Sequence, residues 1–193
     1  MINRKEFYSC IRKSFGSLSQ GQVDGFELIF KEWEDKKLTD LRWLAYMLAT
    51  VWHECATTMQ PIREVGKGKN RKYGSRIKHS GVTYSPIYGI MYGRGYVQLT
   101  WFENYELMGR LLGIDLLKKP DLALVPEIAV KILFEGMLRG SSSVGDFTGK
   151  CLEQYFNSET NDPLGARKII NGTDKAKEIK VFHDIFFSGL KII

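Results

Sequence analysis

Cysteine, histidine and proline are all scarce in this chain of 193 residues, and each scarcity excludes a class of protein. The three cysteines, Cys10, Cys55 and Cys151, are an odd set too sparse for a disulfide framework. They fit a chain made and folded in a reducing cytoplasm. His53, His79 and His183 are scattered, with no His-Glu-x-x-His and no paired cysteines, so neither a metal site nor any cofactor is expected. Gly66-Lys-Gly-Lys-Asn is glycine-rich yet matches neither a phosphate-binding loop nor a dinucleotide fingerprint. No stretch approaches the ~20 apolar residues of a membrane span, and the first residues carry no apolar leader core, so neither is expected.

What the chain has is a hydrophobic content of 44% with 12% aromatics, enough for a folded core, over a length that suits one domain, 1–193. The net charge of +6 and a pI near 9.1 favour a polyanionic partner. The placement of that charge is sharper than its total. Between Glu64 and Glu103 there is no acidic residue, while Lys67, Lys69, Arg71, Lys72, Arg76, Lys78 and Arg94 all fall there. Two readings stand open: a solvated basic loop, or a surface that attracts an anionic substrate.

The patterning is mainly helical. Asn3-Arg-Lys-Glu6 and Ser19-Gln-Gly-Gln22 read as capping boxes opening the first two helices. Val23, Phe26, Phe30 and Trp33 then recur at helical spacing. Thr39 is read as the cap of a third helix from about Asp40 to Ala56, with a stripe of Leu41, Leu44, Leu48, Val51, Trp52 and Cys55. Glu54 falls at the edge of that stripe, where partial desolvation suits a proton donor. From Pro61 to about Tyr92, glycines punctuate short polar and aromatic pieces, which read as loops with a small β-hairpin. Helices resume at about Phe102–Leu112, closed by Gly113, and at Pro126–Arg139 before Gly140. Ser141–Gly145 reads as a flexible connection. Short helices follow near Lys150–Phe156 and Pro163–Ile170, and a last one from about Asp174 to Leu190.

The chemistry concentrates in two glutamates and the segment after them. Glu54 and Glu64 lie ten residues apart on either side of Pro61, which lets them face each other across a cleft. A pair of carboxyl groups is what glycosidic cleavage needs: one protonates the leaving oxygen and the other activates water or attacks. The run Tyr92-Gly-Arg-Gly-Tyr-Val-Gln-Leu-Thr-Trp-Phe-Glu-Asn-Tyr105 supplies amides, a hydroxyl and flat rings that suit sugars. Arg94 can pair with a carboxylate to hold one wall, or Gly93-Arg94-Gly95 is simply a turn. Tyr92 and Tyr96 are candidates for stacking on sugar rings. Trp101 has two readings, stacking or core. Cys55 beside Glu54 reads as a small buried residue.

This run, with His53-Glu54-Cys55 and Arg63-Glu64, resembles the signature of glycoside hydrolase family 19, the family of plant-type chitinases and of many phage lysozymes. The resemblance implies a lysozyme-like helical fold with a small irregular or β-hairpin lobe at the cleft. It makes Glu54 the general acid, Glu64 the base and Thr100 the residue that positions the attacking water. Gln98 and Asn104 match substrate-contacting amides. Ala166-Arg-Lys-Ile-Ile-Asn-Gly172 is similar to a later family segment whose asparagine, here Asn171, faces the cleft; read plainly, Asn171-Gly172 is a helix stop. His53-Glu54-Cys55 matches the family's His-Glu-Thr-like helix end, and the segment between the glutamates lacks the disulfide-bearing insert common in plant members.

The reading that follows is a monomeric phage or prophage endolysin, held in the host cytoplasm until a holin-type lesion admits it to the periplasm. There it would cleave β-1,4 bonds of peptidoglycan, as a muramidase, by inverting acid–base catalysis. A chitinase is the enzymatic alternative. A non-enzymatic, envelope-binding alternative rests on the last helix, where Lys175, Lys177, Lys180 and Lys191 accompany Ile179, Phe182, Ile185, Phe186, Leu190 and Ile192. Such a helix either contacts anionic outer-membrane lipid or docks on the core. A nucleic-acid partner is not expected, because no recognition motif accompanies the charge.

Overall fold

The computed structural model describes residues 2–139 and 147–191; the expected connection Ser141–Gly145, Gly140 and Ile192 lie outside them. Six α-helices dominate: α1 (Arg4–Phe15), α2 (Gln20–Asp35), α3 (Leu41–Glu54), α4 (Phe102–Leu112), α5 (Pro126–Leu138) and α6 (Ala176–Leu190). Two short strands, β1 (Ile62–Arg63) and β2 (Arg94–Gly95), pair antiparallel with Ile62 opposite Gly95 and Arg63 opposite Arg94. The fold is therefore mainly α, as expected.

Local chemistry sets most boundaries. Asn3 accepts from the Glu6 amide at 3.3 Å to open α1. Ser19 and Gln22 form both halves of a capping box on α2. Asp40, not Thr39, caps α3: its carboxylate accepts from the Arg42 amide at 3.0 Å. A carboxylate also meets the positive end of the helix better than a hydroxyl does. Gly113 ends α4 in the left-handed conformation, φ 67°. The two short helices expected after residue 150 are single 3₁₀ turns, Leu152–Gln154 and Gly165–Ile169. Each is too short to close a stable α-helical ladder.

The core runs through α3. Every residue from Leu44 to Trp52 is buried, so the helix is apolar all round rather than striped, the pattern of a central helix. α6 packs against α3 and α1, burying Ile179, His183, Phe186 and Leu190. Phe186 meets Phe7, Phe26 and Trp52 at ring-centroid distances of 6.2, 5.6 and 5.9 Å. Most of the apolar face of α6 is thus engaged with the protein itself, while Val181 stays exposed. No helix among the described residues is long and apolar enough to cross a membrane.

Past Glu54 the chain turns sharply through Ala56, Thr57 and Met59, which all adopt positive φ. Such a run is costly for residues with a Cβ, and α2 holds it in place. Gln22 Nε2 donates to the Thr57 carbonyl at 2.9 Å, and Gln60 Nε2 to the Gly21 carbonyl at 2.6 Å. The reversal delivers β1 to β2, and these strands close the base of a lobe spanning 62–95. Within the lobe only an isolated bridge, Ile77 with Thr83, resembles the expected hairpin.

Candidate active site

A cleft of about 470 Å³ opens where the end of α3, the lobe, the start of α4 and the 165–171 segment converge. Glu54, Gln98, Thr100, Trp101, Asn104 and Asn171 line it, together with Tyr73, His79 and Glu103. Six of the ten residues singled out in the sequence therefore share one cavity, drawn from three separate stretches of chain.

Glu54 is the last residue of α3 and its side chain is 16% exposed. Its Oε1 accepts from Arg167 Nη1 at 2.6 Å. Arg167 is buried, 3% exposed, and its Nε donates to the Asp174 carbonyl at 2.8 Å. The guanidinium is thus clamped between the carboxylate and the chain leading into α6. His53 adds a second tie, its Nδ1 lying 3.3 Å from Glu178 of α6.

Glu64 follows β1 and is gripped at both oxygens. Oε1 accepts from the Tyr73 hydroxyl at 2.8 Å and Oε2 from the Gly93 amide at 3.0 Å. The Glu64 amide in turn donates to the Gly93 carbonyl at 2.8 Å. Gly93 packs closely here: a Cβ would lie 3.2 Å from Glu64 Cβ and 2.8 Å from Gln98 Oε1, so it would displace the Gln98 amide. Glu64 itself is not among the residues that form the cleft surface; Tyr73 is, and it carries the hydrogen bond between them. Burial and, next, the hydrogen bond to Glu64 push the Tyr73 phenol up to about 12.

The turn between β2 and α4 shapes the opposite wall. Leu99 donates to the Arg94 carbonyl at 2.9 Å, and Gln98 and Trp101 both adopt positive φ, 53° and 70°. Strain at two non-glycine residues flanking Thr100 is the sort that clusters at functional sites. Gln98 Nε2 donates to the carbonyls of Ile62 and Gly95, each at 3.2 Å. Trp101 is partly exposed, with Tyr73 edge-on at 5.6 Å and His79 at 4.5 Å. It forms a wall of the cleft rather than part of the core. Glu103 Oε1 accepts from the His79 amide at 2.9 Å, tying the lobe to α4.

Tyr92, Arg94 and Tyr96 do not line the cleft. Tyr96 is 1% exposed. Arg94 is 4% exposed and engaged at two of its three nitrogens: its Nε meets Asp121 at 2.7 Å, and Nη1 donates to the Ile90 and Tyr92 carbonyls and the Tyr105 hydroxyl. Its guanidinium carbon sits 3.6 Å over the Tyr92 ring. Asp121 also takes Arg63 Nη2 at 2.7 Å, so one carboxylate joins both strands. Burial works against its charge, yet the two arginines together hold Asp121 below the ordinary aspartate range. Cys55 is buried, and burial, then the Glu54 charge, pushes its thiol well up, away from the nucleophilic form. No group of three or more metal-binding side chains occurs among the described residues.

Arg167 and Tyr73 are the residues the sequence did not announce. Arg167 lies inside the Ala166–Gly172 segment between the buried Ala166 and Ile169, so a cation in an apolar context was its one signal. Tyr73 carries none beyond being an aromatic in a basic stretch.

Comparison with known proteins bears on the fold. The fold matches chitinase C from Streptomyces griseus with a TM-score of 0.63 and 22% identity, covering 98% of this chain and 92% of that one. A bacterial family 19 chitinase matches with a TM-score of 0.60 and 19% identity over 100% and 96%. The chain thus has the family 19 chitinase fold. In sequence it is 61% identical to basic endochitinase B of Arabidopsis thaliana over 31 residues, which are 16% of this chain and 9% of that protein. It is 52% identical to endochitinase 1 of Theobroma cacao over 44 residues, 22% and 14% respectively. A further Arabidopsis thaliana endochitinase is 37% identical over 89 residues, 46% of this chain and 29% of that protein. The chain therefore aligns with less than a third of the length of these relatives. No protein-family model matches it.

Proposed function

We propose that this chain is a glycoside hydrolase that cleaves β-1,4 bonds of bacterial peptidoglycan by acid–base catalysis with inversion, as an endolysin of the muramidase type. The observation that carries the reading is the shared cleft, which gathers Glu54, Thr100 and the amides of Gln98, Asn104 and Asn171, with Glu64 hydrogen-bonded to cleft-lining Tyr73. In this mechanism Glu54 delivers a proton to the leaving oxygen. Arg167 then neutralises the carboxylate that remains, and a fixed cation at that point costs no reorganisation during reaction. Glu64 takes a proton from water held by Thr100, and the water attacks the opposite face of the sugar.

Charge favours peptidoglycan over chitin. Lys67, Lys69, Arg71 and Lys72 are exposed and form no ion pair among the described residues, so their field is uncompensated. A neutral chitin chain gains nothing from such a field, whereas an anionic wall polymer does. The three free thiols suit storage in a reducing cytoplasm before release to the wall. The second reading, a chitinase, is favoured by the names of the relatives just described. Mass analysis of fragments released from purified sacculi separates the two. New reducing ends on muramic acid support the proposal. Inert sacculi alongside rapid turnover of chitin oligomers would replace it with the chitinase.

A further inference from the structure

The catalytic reading assigns nothing to Tyr73, yet its hydroxyl is the only side-chain donor on Glu64 among the described residues. The lobe is built to put it there. Tyr73 sits on the 3₁₀ turn Lys72–Gly74, and this turn is pressed against Gly68. A Cβ on Gly74 would lie 1.9 Å from the Gly68 carbonyl oxygen, and one on Gly68 would lie 2.6 Å from Gly74 Cα. Two side-chain-free positions thus let the lobe fold back on itself tightly enough to aim one phenol at one carboxylate.

We propose that Tyr73 is a positioning residue for the base: its hydroxyl and the Gly93 amide hold the two oxygens of Glu64 and so fix the carboxylate plane toward the water site. The inference rests on the reading of Glu64 as base. A glutamate has three side-chain torsions, and a single contact leaves the plane of the carboxylate free to swing. Two donors on different oxygens, one from the lobe and one from the strand segment, remove that freedom. Each carboxylate oxygen keeps a second lone pair for water. Because the phenol is pushed up to about 12, Tyr73 remains a donor throughout the range in which a glycosidase works. Its ring also meets Trp101 edge-on, at 73°, so the lobe holds the base and the sugar-facing wall with one side chain.

The test compares Tyr73→Phe with Tyr73→Ala, using solubilised peptidoglycan strands or chitin oligomers, whichever the enzyme turns over. Phenylalanine keeps the ring against Trp101 and removes only the hydroxyl. kcat should fall about 10-fold or more, the size expected for losing a hydrogen bond to a charged group. KM should stay within about twofold and Tm within about 4 °C. Alanine should raise KM as well. In a Glu64→Gln background, Tyr73→Phe should cost nothing further. A Tyr73→Phe variant with wild-type kcat overturns the inference, as does a loss that appears in KM or Tm instead, or one that persists undiminished beside Glu64→Gln. Full activity of Glu64→Gln alone would remove the base assignment itself, a separate result.

Discussion

Arg167 Nη1 stands 2.6 Å from Glu54 Oε1, a buried guanidinium on the last carboxylate of the central helix. The pairing joins α3 to the 3₁₀ turn at Gly165–Ile169, and through the Asp174 carbonyl to the approach of α6. It therefore ties the proposed acid to the two elements that enclose it.

Glu54→Gln should leave the fold intact and reduce lysis of purified sacculi to below about a tenth of wild type, since general acid–base contributions run to roughly 10²–10⁴-fold. The amide keeps the size of the side chain and an acceptor for Arg167 but has no proton to deliver. Arg167→Met should lose both activity and stability, because it leaves the Glu54 carboxylate half-buried and unpaired. Turbidity clearing and thermal unfolding of both variants check this. Glu54→Gln with more than a tenth of wild-type activity would take the acid role away from Glu54.

Much of this was legible in the chain. The α-helices announced themselves through caps and apolar periodicity, because these signals are local. Glu54 at a helix end, and the amides and hydroxyl of Gln98, Thr100 and Asn104, share a cleft because β1, shortly after Glu54, pairs with β2, just before Gln98. Arg94 and Tyr96 show where local reading stops. Their residue types suit a sugar site, but whether a side chain faces the cleft or the core depends on Asp121, Tyr105 and α4, all later in the chain. The contact between Arg167 and Glu54 spans 113 residues. No spacing rule reaches that far.

Asp121 offers a test of the clasp under the lobe. Asp121→Asn should lower stability mainly because buried Arg94 loses its carboxylate; Asp121 is itself 56% exposed, so solvent screening holds the loss to about 1 kcal/mol. The pH sign follows from the depressed value of Asp121: its contribution is present above the ordinary aspartate range and is lost as pH falls below it. Urea unfolding between neutral pH and pH 2 should give a shallower acid loss for the asparagine variant than for wild type. Parallel curves would mean the clasp contributes nothing to acid sensitivity.

Salt should depress activity, and the lobe should be responsible. Attraction between Lys69, Arg71 and Lys72 and an anionic wall is screened over about 8–10 Å at physiological ionic strength. Lys78 is left out of the test because its ammonium sits 4.3 Å over the Phe102 ring and helps pack the lobe. Replacing the other three with glutamine should flatten the salt profile of sacculus lysis while leaving Tm nearly unchanged. A profile as steep as wild type would reduce the basic stretch to a solvated loop.

Stereochemistry tests the proposed mechanism as a whole. Direct attack by Glu64 would need the carboxyl groups only about 5–5.5 Å apart, whereas a base acting through water needs roughly 6.5–9.5 Å. Glu64 sits beyond a sharp reversal of the chain, outside the helix that carries Glu54, and its carboxylate accepts from cleft-lining Tyr73. Carriage of the two carboxylates on separate elements suits the wider separation of a base acting through water. Thr100 lies on the cleft surface between two strained residues, where its hydroxyl can hold that water. Thr100→Val should then cost activity about 10-fold with little change in Tm, since the shape is kept and only the hydroxyl is lost. NMR recorded during the first turnovers should show the α anomer at the new reducing end. A β anomer, with Thr100→Val fully active, would make Glu64 a nucleophile and end the inverting mechanism.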